Sequence, residues 1–154
     1  MRVNITEEQK QKLREYGVEI LHPSSMSLPT ECWLEPPCSL KYAQFHHSLS
    51  LGAFSYQVRG FCFAANIGRY TSIGEDVQIG RQNHPTTWLS TNPFQYRSSK
   101  LFNVGYNFED SELYHQYVSH LVGKVPAIQV KITNIGNDVW IGHGALCSCW
   151  CYHR

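Results

Sequence analysis

Residues 67–84 divide into three sixes: Ile67-Gly68-Arg69-Tyr70-Thr71-Ser72, Ile73-Gly74-Glu75-Asp76-Val77-Gln78 and Ile79-Gly80-Arg81-Gln82-Asn83-His84. Each opens with Ile-Gly, and in the first two the fifth place holds Thr71 or Val77, small or β-branched. The pattern returns as Ile135-Gly136-Asn137-Asp138-Val139-Trp140 and Ile141-Gly142-His143-Gly144-Ala145-Leu146. An earlier copy is Leu51-Gly52-Ala53-Phe54-Ser55-Tyr56, and Phe61 with Ala65 reads as a weaker one. A period of six suits neither an amphipathic helix nor a meander of unequal strands. It predicts a parallel β-helix in which three short strands make a triangular coil of about 18 residues. The aliphatic residue of each six then stacks inside a narrow prism on its equivalent one coil away. The fifth residue faces inward where room is short, and glycine leaves space at the turn. The competing account, antiparallel strands with chance Ile-Gly pairs, has to explain five such dipeptides in phase.

The flanking regions read differently. Thr6-Glu7-Glu8-Gln9 is a capping box, with acidic residues at the positive end of the helix dipole and Lys10, Lys12 and Arg14 toward the other. Gly17 is the stop, so a short surface helix is predicted. Pro23, Pro29, Pro36 and Pro37 make an irregular connector of the stretch from Leu21 to Pro37. Three regions follow: helix and connector over 1–48, repeats over 49–146 with an inserted loop at about 85–128, and a non-repeat tail at 147–154. The loop opens Pro85-Thr86-Thr87-Trp88-Leu89, and its Trp88, Phe94 and Tyr96 make it too aromatic for disorder.

Composition excludes several function classes. A chain of 154 residues makes one domain. Thirteen basic against twelve acidic residues leave a net charge of +1, which offers no electrostatic case for nucleic acid. No apolar run approaches a membrane span, so membrane insertion is not expected. The N-terminus lacks the apolar core of a signal peptide, which makes the cytoplasm the default and reduced thiols the expectation for the six cysteines.

Three segments together are more specific than the repeats: Tyr70-Thr71-Ser72-Ile73-Gly74, Asn83-His84-Pro85 opening an aromatic loop, and Asn137-Asp138-Val139-Trp140-Ile141-Gly142. From about Leu49 to Leu146 the chain resembles the hexapeptide-repeat acetyltransferases. Within them it is most similar to the xenobiotic acetyltransferase branch, which includes chloramphenicol and streptogramin acetyltransferases and related sugar or polysaccharide O-acetyltransferases. The resemblance implies an all-β fold, a left-handed parallel β-helix with a long protruding loop. It also implies transfer of an acetyl group from acetyl-CoA, as co-substrate, to a hydroxyl of a small-molecule or saccharide acceptor. The family works as a homotrimer with active sites between neighbouring prisms, and no metal is expected.

By the same resemblance His84 is the general base. Imidazole suits the task, because it changes charge near neutral pH and its neutral form accepts a hydroxyl proton. The acceptor oxygen then attacks the thioester directly. A solvated turn histidine is the competing reading. Tyr56 lines the acceptor side, and Pro85, Trp88 and Leu89 close it; packing of the loop is the plainer role for its aromatics. Trp140 ends a six and lies outside the prism beside the thioester arm, with Gly142 and Ala145 following on the same coil.

Other groupings point elsewhere. His115 and His120 with His84 suggest a carbonic anhydrase-like zinc site, but the pair lies in the insertion without a repeat frame. Cys147-Ser148-Cys149-Trp150-Cys151 alternates thiols, though not at a common zinc spacing. Cys32, Cys38 and Cys62 are expected to be buried or incidental, and His46-His47 an exposed corner pair. The family continues through further coils beyond Ala145, whereas the last eight residues here lack the repeat, as a truncated or frame-shifted product would. A non-catalytic β-solenoid that only oligomerises is therefore the alternative function.

Overall fold

A computed structural model describes residues 1–21, 26–95, 108–120 and 130–148. It divides into two compact units, Met1–Arg81 with Lys131–Arg154, and Gln82–Val130. The first is a parallel β-solenoid of about three turns.

The chain enters through β1 (Arg2–Ile5) and α1 (Glu7–Glu15). The predicted capping box is present: the Gln9 amide donates to the Thr6 hydroxyl (3.2 Å) and the Thr6 amide to Gln9 Oε1 (2.9 Å). Lys10 is nonetheless buried, its ammonium paired with Glu7. After β2 (Val18–Ile20), the segment read as an irregular connector contains two strands, β3 (Met26–Pro29) and β4 (Glu31–Leu34). Its described prolines fall where a strand can spare an N–H. Pro29 ends β3, which pairs antiparallel with β1, and Pro36-Pro37 forms the corner after β4.

The coils follow as β5 (Cys38–Lys41), β6 (Gln44–Leu51), β7 (Tyr56–Gln57), β8 (Gly60–Ile67), β9 (Ser72–Ile73) and β10 (Val77–Ile79). Beyond the second unit come β11 (Thr133–Ile135), β12 (Trp140–Ile141) and β13 (Leu146–Cys147). One parallel sheet stacks β2, β5, β7, β9 and β12. The other runs β4, β6, β8, β10, β13, with β11 also on β8. The long strands β6 and β8 serve two faces of the prism. β10 pairs the start of β8 and β11 its end.

The isoleucines stack as their period requires. Ile67 lies between Leu51 and Ile135, Ile73 between Gln57 and Ile141, and Ile79 between Cys62 and Cys147. Ile73 and Ile79 are wholly buried, and each such side chain contributes roughly 1.5–3 kcal/mol. Two expectations need correction. The weak copy at Phe61 is out of phase: Cys62 occupies the inward place, and Phe61 points out beneath the Arg81 guanidinium, 3.3 Å from its ring centroid. Register partners in the early coils are also 16 or 17 residues apart rather than 18, as in Leu51↔Ile67 and Phe45↔Cys62. The step from 17 to 16 is a slip between Phe45 and Ser48, where His46 and His47 lie opposite Phe63 alone. The two histidines fall within β6 where it passes from one face to the next, His47 exposed and His46 half-buried with its ring centroid 4.3 Å from that of Phe61. Burial, then Arg2 and Arg81, lower the His46 pKa.

Fifth-place side chains do more than fit. The buried Ser55 hydroxyl donates to the Gly68 carbonyl (2.7 Å) and accepts from the Thr71 amide (2.9 Å). The Thr71 hydroxyl donates to the Gly136 carbonyl (3.1 Å), so consecutive coils are tied by interior hydroxyls. Gln57 takes an aliphatic place in the Ile73 column. Its Nε2 donates to the Val77 carbonyl (3.3 Å), while Oε1 has no partner among the described residues. Glycine after the aliphatic residue is a steric need: a Cβ on Gly68 would stand 2.6 Å from the Gly136 carbonyl oxygen.

In the second unit, the described residues form a turn-rich segment over 82–95, with a single 3-10 turn at Pro93–Gln95, and helix α2 (Ser111–Ser119). The Phe108 and Tyr114 rings meet edge to face at 5.5 Å. No helix among the described residues is long and apolar enough to cross a membrane.

Candidate functional site

The sixth place of each repeat points out of the prism, and on one sheet these places line up across coils. Ser39 pairs with Tyr56, Tyr56 with Ser72, and Ser72 with Trp140. Tyr56 and Trp140, chosen from the sequence for different substrates, therefore share one outward row two strand spacings apart, about 10 Å. Ser72 stands between them and was not singled out in advance. The signal was available, since Tyr56, Ser72 and Trp140 each end a six. Tyr56 is half-buried with the Lys41 ammonium 5.4 Å from its ring centroid, a cation–π contact. Trp140 is 80% exposed, and its ring edge lies 3.8 Å from where a Gly142 side chain would begin. Ala145 faces the prism and packs on the core, and its carbonyl accepts from the Gln78 amide (2.9 Å). That backbone acceptor is committed to the coil.

The corners next to this row are charged. Arg59 grips Asp76 through two 3.0 Å bonds, and this contact, slightly opposed by burial, holds the Asp76 carboxyl below its ordinary pKa. The next coil caps the Glu75 amide, which donates to His143 Nδ1 at 2.9 Å.

His84, Pro85, Trp88 and Leu89 belong to the second unit. His84 is exposed, and its Nδ1 lies 2.8 Å from the Thr91 carbonyl oxygen. A carbonyl only accepts, so Nδ1 carries the hydrogen and the neutral ring keeps its lone pair on Nε2. The turn that holds Thr91 is locally braced: the Asn92 amide donates to Ser90 Oγ (3.0 Å) and the Phe94 amide to Asn92 Oδ1 (3.0 Å). Pro85 is buried, Trp88 half-buried, and Leu89 projects fully into solvent.

His115 lies on α2 against Tyr114, and His120 caps that helix. Among the described residues no three His, Cys, Asp or Glu side chains stand close enough to hold a metal ion. Among the described residues Cys32, Cys38 and Cys62 are free thiols. Tyr96 and residues 149–154 of the cysteine-rich tail lie outside the described residues.

These features define a parallel β-solenoid protein with an aromatic and hydroxyl row on one sheet and a tautomer-fixed histidine in the second unit. No protein-family model, curated protein or solved structure matches the chain.

Proposed function

We propose that the chain is an O-acetyltransferase that moves an acetyl group from acetyl-CoA to a hydroxyl of a xenobiotic or saccharide acceptor. His84 is the general base. The observation that carries this reading is the bond between His84 Nδ1 and the Thr91 carbonyl, which leaves Nε2 as the basic nitrogen. Nε2 takes the acceptor's proton as its oxygen bonds to the thioester carbonyl carbon. The carbon–sulfur bond breaks, and the imidazolium returns the proton to the departing thiolate. By the same resemblance Tyr56, Pro85, Trp88 and Leu89 take acceptor-side roles, and Trp140, Gly142 and Ala145 take thioester-arm roles. The family resemblance of the Asn83-His84-Pro85 and Asn137–Gly142 segments supports these roles, as does the solenoid itself. A homotrimer with sites between protomers belongs to the same reading.

The test is CoA thiol release from acetyl-CoA with a panel of chloramphenicol, free sugars and soluble polysaccharides. His84→Ala is expected to lower turnover about 100-fold or more, with CoA binding and Tm retained. Near-normal turnover in that variant, or no release by the wild type with any acceptor, defeats the proposal. The alternative, a solenoid that only oligomerises, draws on the exposed Phe54–Tyr70 stack, whose rings lie 5.2 Å apart. A trimer in sedimentation without turnover favours it.

A further inference from the structure

A second outward row runs along the other sheet. Trp33 pairs with Ser50, Ser50 with Asn66, and Asn66 with Asn134. Four strands side by side span about 14 Å, and the row floors a groove of about 370 Å³ walled by Glu35 and Arg69. We propose that this groove binds a neutral oligosaccharide.

The row's polar atoms suit sugar hydroxyls. Asn66 Nδ2 donates to Asn134 Oδ1 (3.0 Å), which links the two amides across neighbouring strands. Asn66 Oδ1 and Asn134 Nδ2 then remain without a partner among the described residues, one acceptor and one donor on two exposed side chains. Ser50 adds a hydroxyl one strand further on. A sugar hydroxyl both donates and accepts, so hydroxyls along a sugar chain can satisfy the acceptor, the donor and the serine alike. Trp33, 57% exposed, closes one end with a flat apolar face of the kind on which the C–H face of a pyranose stacks. A row of about 14 Å accommodates two or three pyranose rings of roughly 5 Å each.

Charge narrows the ligand further. Arg69 meets Glu35 through both nitrogens, its Nε 2.8 Å from Oε2, and Glu35 also accepts from the Ala53 amide at 3.1 Å. The wall is a closed neutral pair, so it offers no net charge to an anionic polymer or a basic peptide. Glycine lets the coils close up at this corner: a Cβ on Gly52 would stand 2.7 Å from the Arg69 amide nitrogen.

The test is affinity electrophoresis of the intact chain in native gels containing dextran, mannan or hydroxyethylcellulose, with alginate as the anionic matrix. At least one neutral matrix is expected to retard the wild type. Trp33→Ala and Asn66→Ala should each weaken that retardation about fivefold or more, with Tm and sedimentation unchanged. Tyr16→Ala, which removes an exposed ring at the end of α1, should not. Any of four results overturns the proposal: no retardation in any neutral matrix, retardation by alginate alone, groove variants retarded as strongly as the wild type, or an oligomer that either variant dissociates. The last would make the row an interface with a second copy. His84 is untouched in these variants and the readout is binding, so retardation without acetyl transfer would defeat only the catalytic proposal.

Discussion

In the solenoid a side chain's neighbours come from another coil; in the described part of the inserted unit they come from the same turn. Asn66 meets Asn134, the Arg69 amide meets Asn137 Oδ1, and the Glu75 amide meets His143, each 68 residues apart. His84 reaches Thr91, seven residues on, and Asn92 reaches Ser90 and Phe94. The constant offset of 68 means that the coil resumes in phase after the insertion. Lengthening a corner of about three residues to about fifty costs only about 2–3 kcal/mol in loop closure. The stacked column on either side offsets that readily. Register is held by periodic burial, while the insertion is free to carry other chemistry.

The contrast breaks most directly at Gly60, where φ is +127° and a Cβ would stand only 2.1 Å from the Val77 carbonyl oxygen. Gly60→Ala forces one coil away from the next, and a loss of about 4 kcal/mol or more is expected. Thermal denaturation followed through the β-sheet circular dichroism should show Tm falling by about 10 °C or more. An unchanged Tm would mean that the coils are not packed at this spacing.

A matched pair sharpens the comparison. Ile73→Ala empties a wholly buried place in the column and should cost about 2–5 kcal/mol. Leu89→Ala, at a side chain 99% exposed in the insertion, should stay within about 0.5 kcal/mol. Urea midpoints for the two variants measure this, and similar losses would erase the distinction between the regions.

Alkaline pH gives the smallest effect, and it reports on the solenoid. Burial pushes the Cys62 thiol up to about 12 and those of Cys32 and Cys38 to about 11, from an ordinary 9.0. Above pH 9 the unfolded chain releases thiol protons that the folded chain retains. The stability these groups contribute is therefore complete below pH 9 and declines as pH rises toward 11–12. The Cys62 slope alone reaches up to about 1.4 kcal/mol per pH unit. Urea unfolding of wild type and Cys62→Ala at pH 8, 9.5 and 10.5 should show the shallower decline in the variant. Parallel declines would place the titrating group elsewhere.

Much of the interior was legible in the chain. Ile67, Ile73 and Ile79 each entered an inward column of their own as their spacing required, and Ser55, Thr71 and Val77 turned inward as their size allowed. Phe61 misled because aromatic bulk resembles a core signal, whereas a one-residue slip at His46–His47 hands the inward place to Cys62. The candidate site was legible only piecemeal. Tyr56 and Trp140 could be named from motifs, but Ser72 between them and the row from Trp33 to Asn134 depend on coil lengths of 16, 17 and 68 that a six-residue pattern does not state.

Sequence alone determined that this protein coils and which side chains point inward, because burial repeats locally and each six carries its own instruction. The tertiary structure decided which outward side chains become neighbours: tyrosine, serine and tryptophan along one sheet, and tryptophan, serine and two asparagines along the other. Neighbourhood on the surface of a solenoid is set by the length of the path around it, and that length emerges only when every corner has closed.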